Sequence, residues 1–263
     1  MSSFKDHFSA ASDRYAAYRP DYPAALFDWL AGLCPHTGTS PHPGTSAECG
    51  AAWDCATGSG QAALGLAAHF RRVFATDASA EQVRHAVVHP SIDYRVAQAE
   101  DSGLADHSVD LVTVAQAAHW LELPRFYAEV TRVLKPGGAV ALWGYGRMVL
   151  PGEMDMPLRR FHAETVGPFW PPERALIDDA YRSLDFPFAE IAAPAFSIEV
   201  DWTLPRLMDY LSTWSAVKRY RDTQGHDPLP ALLAELDPLW GDSSNTLQLQ
   251  WPLFMKVGRL LEA

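Results

Sequence analysis

Trp53-Asp54-Cys55-Ala56-Thr57-Gly58-Ser59-Gly60-Gln61-Ala62-Ala63 decides how this chain is read. It closes a short apolar run, Ala51–Ala56, and opens a segment with helical spacing, Gln61–Phe70. Glycines between a strand and a helix permit positive φ and let a ligand come close to the backbone. In an open α/β sheet, such a turn at the C-terminal end of the first strand lies at the ligand crevice. Asp77 follows the next apolar run, Val73–Thr76. An acidic residue at that strand end can accept hydrogen bonds from both hydroxyls of a ribose. Turn and acid together specify a site for a nucleoside-containing cofactor.

Outward from this stretch, apolar runs alternate with helical segments. The further runs are Ile92–Ala97, Val109–Ala115 and Ala139–Tyr145; the further helices are Ala80–Val88 and Leu123–Leu134. Helix-length crossovers between strands predict a parallel sheet with helices on both faces. Before it, Tyr22–Leu33 has helical spacing and the segment from 4 to 20 is aromatic and polar. After Gly146 the alternation breaks into a stretch rich in Pro, Trp and Phe, with helical pieces near Met156–Val166 and Glu173–Leu184. Phe196–Trp202 reads as a strand, Leu204–Lys218 and Leu229–Trp240 as helices, and Leu247–Val257 as a last strand, at an edge or bulged at Pro252. The expectation is one domain over residues 1–263: an N-terminal segment (1–33), a cofactor-binding core (51–146), a cap (147–190) interrupting the sheet, and the rest of the sheet (191–263).

Composition excludes several classes. Hydrophobic residues at 48% and charged residues at 20% exclude a chain disordered over most of its length. Lys plus Arg number 21 and Asp plus Glu 32, a net charge of −11, which opposes a nucleic-acid partner. Arg71-Arg72 and Lys218–Arg221 read as solvated helix faces. Cys34, Cys49 and Cys55 form no CxxC pair, no apolar run is long enough to span a bilayer, and the first residues carry no signal core. These point to a soluble cytoplasmic protein with no membrane partner. His36 and His42 lie in a loop rich in Pro, Gly, Ser and Thr (35–46) without nearby carboxylates, so no metal site is expected. Nothing in the sequence sets the oligomeric state.

Gly58-Ser59-Gly60-Gln61-Ala62-Ala63 also satisfies the loose dinucleotide pattern GxGxx(G/A), which keeps an NAD-dependent oxidoreductase as an alternative. Three features oppose it. Asp54 would repel a pyrophosphate but suits an ammonium group; the turn begins about fifty residues into the chain after an aromatic segment; and no second mononucleotide-binding half follows the fifth strand. The ordered set of motifs resembles the class I S-adenosylmethionine (SAM)-dependent methyltransferases. Asp54–Ala63 resembles their first motif, Thr76-Asp77-Ala78-Ser79 the ribose-binding acid, Ala99-Glu100-Asp101 the segment beside the adenine, Asp110–Trp120 the fourth strand with its catalytic-face loop, and Arg132–Gly138 the turn before the fifth strand. Tyr15–Pro23 resembles a motif of the branch that includes trans-aconitate methyltransferase-like enzymes.

The resemblance implies a Rossmann-like class I methyltransferase fold with an N-terminal lid, SAM as cofactor, S-adenosylhomocysteine as product, and a small-molecule acceptor, with a carboxylic acid as the leading class. It implies that Asp54 and the backbone around Ala56, Gly58 and Gly60 hold the amino end of the methionine part. Asp77 would hold the ribose; Ala78, Gln82, Ala99 and Glu100 would border the adenine; Gln116 would line the methionine portion near the methyl. Tyr15 and Arg19 would fold over the site. His119 reads either as a general base or as a hydrogen-bonded structural histidine, and Trp120 as a wall of the acceptor pocket. Arg147, Arg159 and Arg160 are the cap cations that an anionic acceptor would need. A SAM-binding protein without turnover is a further alternative.

Overall fold

The computed structural model describes residues 21–34 and 49–260; Tyr15, Arg19, His36 and His42 lie outside the described residues. A helix, α1 (Ala24–Gly32), leads to β1 (Cys49–Cys55), α2 (Gln61–Ala67), β2 (Phe70–Asp77), α3 (Ala80–Arg84), β3 (Ile92–Val96), β4 (Val109–Ala115), α4 (Leu123–Val133) and β5 (Leu134–Tyr145). These five strands pair in parallel in the order β3-β2-β1-β4-β5. The chain steps outward from β1 to β3, then returns past β1 to place β4 on its other side. The reversal opens a crevice between the C-terminal ends of β1 and β4.

Burial follows the pleat. In β5, Ala139, Ala141, Trp143 and Tyr145 join one core with Leu26 and Leu30 of α1 and Leu66 of α2. Val140 and Leu142 join the other, with Phe126, Val130 and Val133 of α4. In β4, Leu111 faces the first core and Val112 and Val114 the second, while a register shift between Val109 and Leu111 turns Val109 to the second. Covered on both faces, β4 has no charged residue beyond Asp110. That carboxylate lies at the strand's opposite end, where it accepts from Lys135 Nζ and the Ala51 N–H.

Beyond β5 the sheet turns antiparallel. Short helices α5 (Asp155–Arg160) and α6 (Arg174–Asp178) precede a two-residue strand β6 (Ala189–Glu190) and β7 (Ser197–Trp202); α7 (Leu204–Ser212), α8 (Ser215–Gln224) and α9 (Leu229–Trp240) lead to β8 (Leu247–Arg259). β8 pairs with β7 over Leu247–Pro252 and with β5 over Leu253–Arg259. Pro252, which has no N–H to offer, stands at the handover between the two partners.

Element boundaries differ from the sequence reading in several places. The helix expected over Glu173–Leu184 ends at Asp178, because Ala180 and Tyr181 both take left-handed φ, 55° and 56°. The helix expected over Leu204–Lys218 is two helices, parted at Trp214, whose ψ of 130° is extended. α3 stops at Arg84, leaving Val87 and Val88 exposed. Phe70 opens β2 instead of ending α2.

Candidate active site

The glycine turn takes left-handed backbone at every second residue. Ala56, Gly58 and Gly60 have φ of 55°, 58° and 88°. Gly60 caps α2, and a Cβ there would run into the ring and hydroxyl of Tyr94 on β3. Ala56 departs from the usual preference of non-glycine residues, a strain that surrounding structure must hold in place. Asp54 supplies the hold. Its carboxylate is fully buried and accepts from Thr57 Oγ1 (2.5 Å) and Thr113 Oγ1 (2.8 Å), with the Ala63 N–H at the start of α2 also bearing on it. Burial pushes its pKa up to about 6 against the pull of those donors, with Asp77 adding repulsion. By contrast the buried Glu129, paired with Arg132 and Ser102, stays below the usual carboxylate range. Asp54 therefore ties β1, β4, the turn and the start of α2 together, where the sequence reading assigned it to an ammonium group.

Asp77 ends β2, half-buried. Its Oδ2 accepts from the Gly58 N–H (2.9 Å) and its Oδ1 from the Ser79 N–H (2.8 Å), which aims the carboxylate beside the turn. Ser79 caps α3 by accepting from the Gln82 N–H, and the Gln82 amide oxygen is the nearest atom to the open side of Gly58. Ala78, Ala99 and Glu100 are half-buried. Glu100 is close enough to contribute to the raised pKa of Cys55, behind burial, Asp54 and Asp77. Cys55 is a buried thiol held in its protonated form. The structure thus gathers Ala56, Gly58, Gly60, Asp77, Ala78 and Gln82 around one crevice.

Across the crevice, Gln116 follows β4 with φ 56°. Its amide bonds the Tyr145 backbone twice, Nε2 to the carbonyl (3.0 Å) and Oε1 from the N–H (2.7 Å). The side chain extends the β4–β5 ladder by one rung, a positioning task that the sequence did not reveal. A Cβ on Gly144 would come within 2.8 Å of both that Oε1 and the Phe254 ring. Tyr22 packs edge-on against Trp143, and Asp21 accepts from Gln61 at the start of α2, so these two residues lie beside the turn.

His119 and Trp120 lie in a 3-10 turn, Ala118–Trp120, just past β4, with their rings 4.7 Å apart. His119 Nδ1 is 3.1 Å from the hydroxyl of Tyr181, which is fully buried and packs edge-on against Phe254. Burial and then Arg174 hold the His119 imidazole down at about 4, opposed by Glu173. α6 packs on this turn. Its Arg174 stacks over Trp170, 3.9 Å from the ring centroid, contacts His162 Nε2 at 3.0 Å and pairs with Asp178 at 3.3 Å. His162, held at about 3 by burial, Arg174 and Arg147, sits in a π turn (Phe161–Thr165), a distortion frequent at functional sites. His162, Gly167, Trp170, Pro171 and Arg174 line a cleft of about 500 Å³.

Sequence reading missed Tyr181, His162 and Arg174. The Pro, Trp and Phe content of 147–190 marked the segment without singling out a residue. Of the cations it did name, Arg147 is bound by Asp155 at 2.5 and 2.9 Å, Arg160 pairs with Glu235, and Arg159 is exposed. Among the described residues no cluster of His, Cys, Asp and Glu could hold a metal ion, and no helix is long and apolar enough to cross a membrane.

Comparison with known proteins agrees with this geometry. Residues 53–142 match the methyltransferase domain family. The chain is 31% identical over 265 residues to a Dictyostelium discoideum protein described as a methyltransferase, covering 98% of this chain and 96% of the relative. A Saccharomyces cerevisiae protein named as an S-adenosylmethionine-dependent methyltransferase is 27% identical over 154 residues, 56% of this chain and 48% of the relative. A solved structure from Anaeromyxobacter dehalogenans, titled a type II methyltransferase, superposes with a TM-score of 0.85 at 42% identity, covering 93% of this chain and 99% of that one.

Proposed function

Because this chain belongs to the class I SAM-dependent methyltransferases and takes SAM as its methyl donor, we propose that it methylates a small carboxylic acid held between the 118–120 turn and the segment after β5. The family assignment retires the NAD reading of the glycine turn. When bound, SAM supplies a methyl group made electrophilic by its sulfonium. The residues present fit it: the side of Gly58 that a Cβ would occupy is open, with no atom closer than the Gln82 amide oxygen at 3.9 Å, and no basic residue stands in the turn to require a phosphate.

In this reading Asp77 holds the ribose, and Ala78, Gln82, Ala99 and Glu100 border the adenine. The backbone at Ala56, Gly58 and Gly60 meets the amino acid end, with Asp54 acting through the turn that it organises. Gln116 holds the end of β5 against β4 beside the reacting methyl. Tyr15 and Arg19 belong to a lid, and residues 147–190 form the cap. Methyl transfer is an in-line displacement, so alignment and water exclusion supply much of the rate, of order 7–11 kcal/mol where orientation is good.

The observation that carries the acceptor class is Arg174. It is the guanidinium that bears on His119, it sits over the Trp170 indole with Asp178 on its Nε, and it lines the cleft. A fixed guanidinium of this kind suits a carboxylate. Calorimetry with SAM, S-adenosylhomocysteine and NAD tests the cofactor half: saturable binding of the first two and none of NAD is expected. Asp77→Ala is expected to weaken SAM about 10- to 100-fold, since hydrogen bonds to a charged group contribute about 1.5–3 kcal/mol. Unchanged affinity would remove Asp77 from the site. A screen of small mono-, di- and tricarboxylic acids with radiolabelled SAM tests the acceptor half.

A further inference from the structure

His162 and Arg174 meet inside the cleft, with Arg174 Nη2 3.0 Å from His162 Nε2. A guanidinium donates and never accepts, so Nε2 is the acceptor and carries no proton. A neutral ring of this kind has its proton on Nδ1. An imidazolium has no lone pair at Nε2, so the contact exists only with His162 neutral, in line with its pKa of about 3. The imidazole is itself held: Trp170 and Trp214 flank it, with centroids at 5.2 and 5.6 Å, and the Trp170 Nε1–H donates to the His162 carbonyl (3.4 Å). With the indole against its face and Asp178 near its Nε, the Arg174 guanidinium is fixed on several sides.

The charge of the cleft follows. With His162 neutral, Arg174 is the only cation among the described residues that line it, and Asp178 lines it too, 3.3 Å from Arg174 Nε. The other cap cations are engaged elsewhere: Arg147 and Arg159 bear on Asp155, and Arg160 pairs with Glu235. The remaining walls are apolar, with Trp170, Pro171, Pro172 and Ala175 among them. At about 500 Å³ the cleft has the size of a small-molecule pocket, in which apolar walls take the body of a ligand and a few polar groups orient it. One cation matches one carboxylate. A second carboxylate on the same ligand would leave water to lie among prolines and an indole beside Asp178, an unpaired charge that is costly to bury.

We infer that the methyl acceptor is a monocarboxylic acid with an apolar or aromatic body, not a di- or tricarboxylic acid, and that His162 is the positioning residue that holds the Arg174 guanidinium for its carboxylate. The inference rests on the methyl-transfer reading and narrows its acceptor class. The step balances without a base. A carboxylate oxygen forms the new O–C bond with its own electron pair, the S–C bond breaks with its pair passing to sulfur, and an ester and a neutral thioether result. No proton moves.

Calorimetry on the full chain saturated with S-adenosylhomocysteine, which has no methyl to give, tests this with cinnamate and octanoate against citrate and cinnamyl alcohol. One of the two monocarboxylates is expected to bind at least about tenfold more tightly than citrate or the alcohol, the margin of a hydrogen bond to a charged group. His162→Leu should lose that margin, and His162→Gln, whose amide oxygen stands about where Nε2 does, should restore it, with S-adenosylhomocysteine affinity unchanged in both. Citrate or the alcohol binding as tightly as the monocarboxylates overturns the inference, as does binding of none of the four probes, or a His162→Leu variant that behaves like the wild type. If the variants do not fold, the wild-type ranking and nitrogen-15 NMR of His162 decide it: the Nδ1–H tautomer is expected, and Nε2–H overturns the positioning role. Turnover of a tricarboxylic acid would overturn this inference and leave the methyl-transfer reading standing, whereas a wild type that does not bind S-adenosylhomocysteine would break that reading itself.

Discussion

The two sides of the crevice are built on different principles. On the cofactor side, β1, the glycine turn and β2 are neighbours in sequence, and their site residues fall between Asp54 and Gln82. Left-handed backbone at Ala56, Gly58 and Gly60 makes the shape, and one buried carboxylate anchors it. On the proposed acceptor side the groups come from distant segments. His119 follows β4, whereas Tyr181, Arg174 and His162 come from the stretch after β5. There the anchoring is by neutral imidazoles, a buried phenol and a stacked guanidinium. A recurrent cofactor calls for a compact local device. The proposed acceptor side is assembled instead from the 118–120 turn and the segment after β5, which are far apart in the chain.

The comparison breaks first at Gly60. Gly60→Ala adds a Cβ against Tyr94 and forces a side chain onto φ 88°. Overpacking costs about 1–3 kcal/mol and left-handed backbone about 1–2. A large fall in thermal midpoint and loss of SAM binding are expected, checked by circular dichroism and calorimetry. Retained SAM affinity would mean that the turn is not the binding element.

Asp54→Asn should rank next. The amide presents N–H to one of the donors Thr57, Thr113 and Ala63, and a buried mismatch of this kind costs about 1–3 kcal/mol. Both denaturant midpoint and SAM affinity should fall. A change in SAM affinity with no change in stability would point to direct ligand contact instead of turn anchoring.

Arg174→Gln is the mirror test on the acceptor side. KM for the carboxylic acid should rise about tenfold or more, consistent with the loss of a charge-assisted contact, with SAM affinity preserved. A fall in SAM affinity with acceptor KM unchanged would move Arg174 to the cofactor side.

The sides also respond oppositely to acid. His119 and His162, held at about 4 and about 3, stay neutral where the unfolded chain, near 6.5, takes up protons. Their contribution is fully present above 6.5 and is lost as pH falls toward 4. Asp54, raised to about 6 from 3.8, contributes stability below 3.8 that is lost as pH rises through 6. Between pH 4 and 6 the unfolded chain therefore binds up to one more proton, two from histidine less one from Asp54. From these three groups stability should rise with pH there, by up to about 1.4 kcal/mol per unit. Urea midpoints across pH 4–7 check this, and His162→Gln should flatten the slope. The smallest effect belongs to Arg160→Gln, which breaks an exposed pair with Glu235 and should change stability by less than about 0.5 kcal/mol.

Much of the cofactor side was legible because its determinants are local. Alternating apolar runs set the parallel strands, and glycines permit positive φ where a turn needs it. An acid at a strand end needs no distant partner to be recognised. Asp54 stands out in the sequence by its position, but only packing shows that Thr57 and Thr113 hold its carboxylate. Gln116 likewise stands out by its position, but its two bonds to Tyr145 span 29 residues. The helix expected through Tyr181 failed because its apolar spacing is compatible with a helix, and nothing local forces Ala180 and Tyr181 to be left-handed.

The chain by itself determined the order of strands and helices, the turn at 54–60 and the acid at 77, because periodicity and backbone preference act between neighbours. Tertiary structure alone decided which hydroxyl meets His119 across 62 residues, and which cation reaches His162 and the 118–120 turn. Those choices depend on how the segment after β5 folds back over the sheet, and burial, which sets the protonation of both histidines, exists only once it has done so.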